Sequence, residues 1–169
     1  MLDRPNYLGG EMTDDNVDLP RDRLARWLVL AQFVLAAAIV LSTPWRTWPS
    51  PLVGFFAVQM LLMGSGLAIW AWFTMGSQYL KVMPHPHREA KLLRHGPYRW
   101  IRHPMYAGLL LATLACSLWS GSFAQVASWL GLAGVLFCKT RIEEVLLAEK
   151  FPEYELYRKR TGRFLPKAR

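Results

Sequence analysis

Hydrophobic and polar residues separate into long blocks along this chain, rather than alternating at the period of an amphipathic surface helix. Trp27 to Thr43, Leu52 to Phe73, Met105 to Trp119 and Phe123 to Cys138 contain no Asp, Glu, Lys, Arg or His. The hydrocarbon core of a bilayer is about 30 Å thick and takes about 20 helical residues to cross. The second block reaches that length, and the first does so if Arg26 snorkels to the interface. Blocks three and four are shorter and are parted only by Ser120, Gly121 and Ser122. They predict a tight helical hairpin crossing a locally thinned bilayer. The pattern thus predicts an all-α integral membrane protein of about four transmembrane helices, the last two a short hairpin. Residues 1–24 form a polar tail, 25–73 two N-terminal membrane helices, and 74–169 a third part built of a loop, the hairpin 104–138 and a C-terminal segment.

Charge adds an orientation to this picture. The net charge is +8, with four Lys or Arg before the first block, one in 44–51, six in 74–104, none in 120–122 and nine from Lys139 onward. Nearly all of them fall on one side of a four-helix topology, which predicts that both termini and the loop 74–104 are cytoplasmic. The basic balance therefore points to membrane topology and not to a nucleic-acid partner. The stretch "STPWRTWPSP" at 42–51, with its two tryptophans, suits the far interface. Acidic and polar residues precede the first block, so it is expected to be an anchor and not a cleaved signal peptide. Gly64, Ser65 and Gly66 within the second block predict close approach of another helix. Cys116 and Cys138 sit inside apolar blocks without Cys-x-x-Cys spacing and are expected to pack. His85 and His87 in "PHPHREAK" lack nearby partner ligands, so no metal site is expected there.

Candidate chemistry concentrates in "HGPYRWIRHPMYAG", residues 95–108. Pro104 suits the first position of the third helix, where its missing N–H costs nothing. That helix start carries the positive end of the dipole, suited to a carboxylate or phosphate, and Arg102 and His103 add donors. Gly108, one turn on, leaves room for a ligand or for another helix. Tyr98, Trp100 and Tyr106 offer flat faces to a heterocycle or a cation. Residues 74–104, with four prolines and all four histidines, are expected to be mostly irregular. Beyond Cys138 the fourth helix should continue through "KTRIEEVLLAEK" and break near Pro152. Glu143 and Glu144, with Lys139 and Arg141 just upstream, would then stand level with Arg102 to Tyr106 across the hairpin. Taken singly, each is an interfacial anchor, a helix start or a solvated face. Taken together, they describe a site.

"GPYRWIRHPMYAG", followed by "RIEEVLLAEKFPEYELYRKRTGRFLP", resembles the isoprenylcysteine carboxyl methyltransferase and phospholipid methyltransferase superfamily of integral-membrane enzymes. The resemblance rests on Gly96 and Tyr98, Arg102 to Gly108, Glu143 and Glu144, Tyr154 and Tyr157, and Phe164 to Pro166, and covers about half the chain. It implies a methyltransferase using S-adenosylmethionine at the cytoplasmic face. It also implies that Leu92, Leu93, Tyr98, His103, Pro104, Met105, Tyr106, Gly108 and Glu143 contact the cofactor. Arg141, Glu144 and Arg102 are then the expected catalytic residues, with Lys139 as the alternative to Arg141 at the acceptor. The acceptor is expected to be lipophilic, foremost a prenylcysteine-type carboxylate and otherwise a phospholipid amine or a small acid or thiol, entering between the second block and the hairpin. A carboxylate would be held by Arg141 or Arg102, whereas an amine needs Glu144 or His103 as base. The competing class is a non-enzymatic four-helix membrane protein whose basic face meets anionic lipid.

Overall fold

The computed structural model describes residues 19–45, 47, 49–79 and 92–167. Most of the polar tail, Trp48, and His85 and His87 lie outside these residues. Five α-helices and one 3-10 turn make up the regular structure: α1 (Leu19–Ser42), α2 (Pro51–Tyr79), the turn Gly96–Arg99, α3 (Pro104–Ser120), α4 (Phe123–Lys150) and α5 (Tyr154–Arg160). All regular elements among the described residues are therefore helical, as the block pattern predicts.

Two boundaries differ from the expectation. α1 begins at Leu19, inside the supposed tail, because charged residues at a helix start are solvated and do not interrupt it. α2 runs past Phe73 to Tyr79, so the following loop begins later than the polar composition implies. α4 continues from the apolar block through both glutamates to Lys150, and the chain turns at Phe151 and Pro152 before α5, as expected. Two stretches are long and apolar enough to cross a membrane, Pro51–Gly76 with mean hydropathy 2.0 and Phe123–Lys150 with 1.3. The apolar part of α1, Arg26–Ser42, and α3 fall short of that length, so two helices meet the criterion where four crossings are expected. Only 17% of the most apolar window of α2 is buried, whereas the inner helix of a soluble protein would be mostly covered. Its apolar surface faces outward, as lipid contact requires.

Packing follows from small residues. α2 lies along α3 with the backbones almost touching: a Cβ on Gly64 would stand 2.6 Å from the Ala112 nitrogen, and one on Gly108 2.5 Å from the Gly64 oxygen. Any side chain at either position would force the helices apart. α4 packs against α3 and α1, around a core of Ile39, Cys116, Leu132 and Leu136. Buried hydroxyls in this interior bond to their own helix: Thr113 Oγ1 donates to Leu109 O at 2.7 Å and Ser117 Oγ to Thr113 O at 3.0 Å. The hairpin turn closes with Gly121 at φ 62°, the left-handed conformation that glycine adopts without strain, its N–H reaching Leu118 O. Beside that turn, Trp119 Nε1 donates to Thr47 O at 3.2 Å and Gln125 Nε2 to Ser42 Oγ at 2.9 Å.

Candidate functional site

A short backbone pairing builds the opposite end of the bundle. Residues 100–103 are held parallel to 162–163 by three bonds: Gly162 N–H to Trp100 O at 3.1 Å, Arg102 N–H to Gly162 O at 2.8 Å and His103 N–H to Arg163 O at 3.1 Å. A Cβ on Gly162 would overlap the Leu165 carbonyl, so only glycine fits this turn. Tyr157 adds a buried bond from its hydroxyl to Tyr98 O at 2.7 Å. The C-terminal segment is thereby pinned to the chain just ahead of α3.

Side chains converge where these strands of backbone meet α4. Glu144 is 5% exposed and accepts from two arginines: Arg102 Nε at 2.9 Å and Arg163 through Nε at 3.0 Å and Nη2 at 2.6 Å. The Arg163 pair is bidentate, the strong form of this contact. It holds the Arg163 guanidinium above its ordinary pKa, through the hydrogen bond first and against the cost of burial. Arg102 Nη1 also donates to Arg158 O at 3.1 Å and to Thr161 O. Two cations around one anion, with carbonyls taking further donors, is the arrangement that makes a buried ionic group tolerable.

Next to this knot, His103 stacks on Tyr106, the rings 5.7 Å apart and 8° from parallel. Its Nδ1 lies 3.4 Å from Glu143 Oε2 and its Nε2 3.4 Å from Glu144 Oε1. The Nε2 contact is not aligned as a hydrogen bond, and that buried atom has no other acceptor. Tyr106 OH donates to Glu143 Oε1 at 2.8 Å, and Glu143 remains about one-third exposed, at 34%. Lys139, one turn before Glu143, sets its ammonium 4.9 Å over the Tyr106 ring and donates to Gln32 of α1 at 3.0 Å.

Arg102, His103, Tyr106, Glu143 and Glu144 are thus brought together as the sequence predicts. Pro104 is buried at the start of α3, with half-buried Met105 after it. Other expected residues fall elsewhere. Arg141 is exposed with its guanidinium 4.8 Å over the Phe137 ring, and Lys139 takes the place beside Tyr106. Tyr98 is buried towards α2, its hydroxyl 3.8 Å from Met75 Sδ, and half-buried Leu92 and Leu93 lie in the irregular stretch leading to the 3-10 turn. The room at Gly108 is taken by α2, the second of the two occupants the sequence allows. Arg163 and Thr161 were not anticipated; the closing Phe164–Pro166 element was the available signal that this segment returns to the site. Tyr154 is buried with its hydroxyl unpartnered, and burial foremost, then the charge of Glu144, pushes its pKa up to about 12.

The Gly64–Gly108 contact brings α2 against α3 within the region where the sequence expects an opening between the second block and the hairpin. A cavity of about 290 Å³ lies instead between α1 and α4, lined by Arg26, Leu28, Val29, Lys139, Ile142, Glu143 and Leu146. Glu143 and Lys139 therefore belong both to the cluster and to this cavity.

Residues 52–154 match the phospholipid methyltransferase family (PEMT), more than half of the chain and the part that carries α2, α3, α4 and both glutamates. The chain belongs to the phospholipid methyltransferase family. It is similar to the cobalt-zinc-cadmium resistance protein CzcN of Cupriavidus metallidurans, 33% identical over 152 residues, 88% of this chain and 66% of that protein. The nickel-cobalt-cadmium resistance protein NccN of Alcaligenes xylosoxydans xylosoxydans is 29% identical over 155 residues, 88% of this chain and 67% of NccN. An uncharacterized protein of Schizosaccharomyces pombe is 35% identical over 78 residues, 43% of this chain and 23% of that protein. No solved structure matches the chain. The family supports a methyltransferase at a membrane. Its match stops at Tyr154, so the guanidinium of Arg163 reaches Glu144 from beyond the matched residues.

Proposed function

We propose that this phospholipid methyltransferase family member transfers a methyl group from S-adenosylmethionine to a lipophilic acceptor at the cytoplasmic membrane surface. The reading is carried by one observation: the start of α3 meets the paired glutamates of α4 in a chain of this family. S-Adenosylmethionine has a cationic ammonium, a carboxylate, a sulfonium and an adenine, and the residues suit each. Glu143, partly exposed, can accept from an ammonium or a ribose hydroxyl. The stacked faces of His103 and Tyr106 suit a heterocycle or a cation, and the dipole at the start of α3 favours the carboxylate. The buried His103 Nε2, which lacks an aligned acceptor, is a further group that a ligand could satisfy. Bound there, S-adenosylmethionine supplies an electrophilic methyl carbon for direct displacement.

The chain's own work is then alignment and charge placement. Glu144, held by two guanidinium groups, positions Arg102 and the returning C-terminal segment and is poorly placed to take a proton. A carboxylate acceptor of the prenylcysteine type needs no base, which agrees with that arrangement. A phospholipid amine, the acceptor suggested by the family's description, would hand its proton to His103 or Glu143.

Calorimetry with S-adenosylhomocysteine on protein in detergent and in lipid tests this function. Wild type should bind at micromolar concentration, and Glu143→Gln should weaken binding about tenfold or more with an unchanged melting temperature. A folded wild type that binds nothing in either medium would sink the enzyme reading and leave a non-enzymatic membrane protein.

A further inference from the structure

Exposed charge around the site end of the bundle is unevenly matched. Glu153 pairs with Arg94 at 3.0 Å and Glu155 with Arg158 at 3.5 Å, all four side chains about half exposed. Arg99 and Arg160 are exposed as well, but they engage no carboxylate among the described residues. They belong to distant stretches, the 3-10 turn and the last residue of α5. The backbone pairing gathers them at one edge, since each stands two residues before a member of the parallel bridge Ile101–Gly162. Gly162 N–H donates to Trp100 O at 3.1 Å, so the residue after Arg99 is bonded to the chain two positions on from Arg160. Two cations brought to one edge without an acid call for an anion from outside.

The aromatic residues beside them mark a depth. Arg99 sets its guanidinium 5.9 Å from the centre of the Trp100 ring, and Trp100 meets Trp70 of α2 with centroids 6.2 Å apart. Both indoles are about half exposed, and Phe73, one turn on from Trp70, is more exposed still. Trp70 lies six residues before the end of the apolar span Pro51–Gly76, about 9 Å along the helix axis. Indoles gather at that depth, where hydrocarbon gives way to headgroups. The ledge therefore offers an apolar face below and guanidinium groups above, the two halves of a phospholipid's chemistry.

We propose that Arg99 and Arg160 hold the phosphate of an anionic phospholipid, its headgroup against Trp100 and its chains along the outward face of α2 at Trp70 and Phe73. This lipid is a bound partner and not the methyl acceptor: none of these residues belongs to the Glu143 cluster or lines the α1–α4 cavity. By bridging the 3-10 turn to α5, it reinforces the pairing that carries Arg102 and Arg163 to Glu144. The inference does not depend on methyl transfer.

Tryptophan fluorescence in phosphatidylcholine nanodiscs tests the ledge without requiring turnover. The probes are phosphatidylglycerol and phosphatidylcholine with brominated chains, each titrated into the disc as quencher. Half-maximal quenching of wild type should need about fivefold less of the glycerol lipid. The double variant Arg99→Gln, Arg160→Gln should bring the two lipids level. Arg94→Gln with Arg158→Gln removes the same charge from arginines that already face carboxylates, and should keep the preference. Unbrominated phosphatidylglycerol should also raise the melting temperature of wild type and not of the Arg99, Arg160 double variant. Equal quenching on wild type, which needs no variant to fold, would overturn the proposal and leave another anion, such as the acidic stretch at 11–18, for the arginines. A preference that survives in the Arg99, Arg160 variant, or that is lost equally in the Arg94, Arg158 variant, would overturn it too, showing attraction to net charge and no built site.

Discussion

Where α1 turns into α2 and α3 into α4, the bundle is joined by neutral groups: Trp119 to the Thr47 carbonyl, Gln125 to Ser42, and Trp45 against Trp119 with ring centres 5.9 Å apart. At the other end of α3, about 25 Å away by helix length, the same job falls to Glu144, Arg102 and Arg163, nearly all of it out of water. Neutral bonds act one at a time: Trp119 can lose its bond at an exposed rim, and buried Gln125 would strand a neutral amide and not an ion. Charges sharing one buried carboxylate act as a unit, because removing the carboxylate leaves two desolvated cations without their anion. The loop end should tolerate change, and the site end should hold one geometry. A methyl transfer by direct displacement needs that second behaviour, since alignment is most of what the protein contributes.

The sharpest way to break this contrast is Glu144→Gln. It strands Arg102 and Arg163 and should cost about 3–5 kcal/mol, seen as a large drop in melting temperature in detergent and loss of nucleoside binding. A loss no greater than at the tryptophan end would show that the knot is not a unit. Gly108→Val comes next. It acts one turn into α3 by driving that helix off α2, and should cost about 1–3 kcal/mol while leaving the arginine pairs intact, so stability should fall more than binding. Alkaline pH loosens the site end through its buried phenols. Tyr154 and Tyr157 are both pushed up to about 12, by burial foremost and then by Glu144 and Tyr154 respectively. Each phenol holds its proton more tightly folded than unfolded, so stability should be flat below about pH 10 and fall as pH rises towards 12. Melting curves across that window check the slope, and Tyr157→Phe should reduce it. The smallest effect is expected from Trp119→Phe, about 1 kcal/mol or less, with nucleoside binding unchanged by calorimetry.

Block boundaries were legible because an apolar residue in a membrane helix has one requirement, burial away from water, and composition records it. The hairpin, the continuation of α4 to Lys150, the break at Pro152 and the meeting of His103 and Tyr106 with the glutamates all follow from chain direction and helix length. Helical periodicity also separates Lys139 from Arg141. Four residues before Glu143 is the same face, and two before it is nearly the opposite one. Arg163 was harder to find. It reaches Glu144 through a backbone pairing of Ile101 with Gly162, 61 positions apart in sequence, and no local pattern encodes a partner at that range. The α1–α4 cavity was hidden for a related reason: its walls come from residues such as Val29 and Lys139, far apart in sequence.

The pairing of Ile101 with Gly162 has a bearing on the order in which the molecule is made. Helices α1 to α4 contain the apolar surface that drives entry into a bilayer, and all of it precedes Thr161. Glu144 thus takes its second arginine from a segment that follows the whole bundle in the chain. In chain order, the clasp that completes the knot follows both helices long enough to cross a membrane.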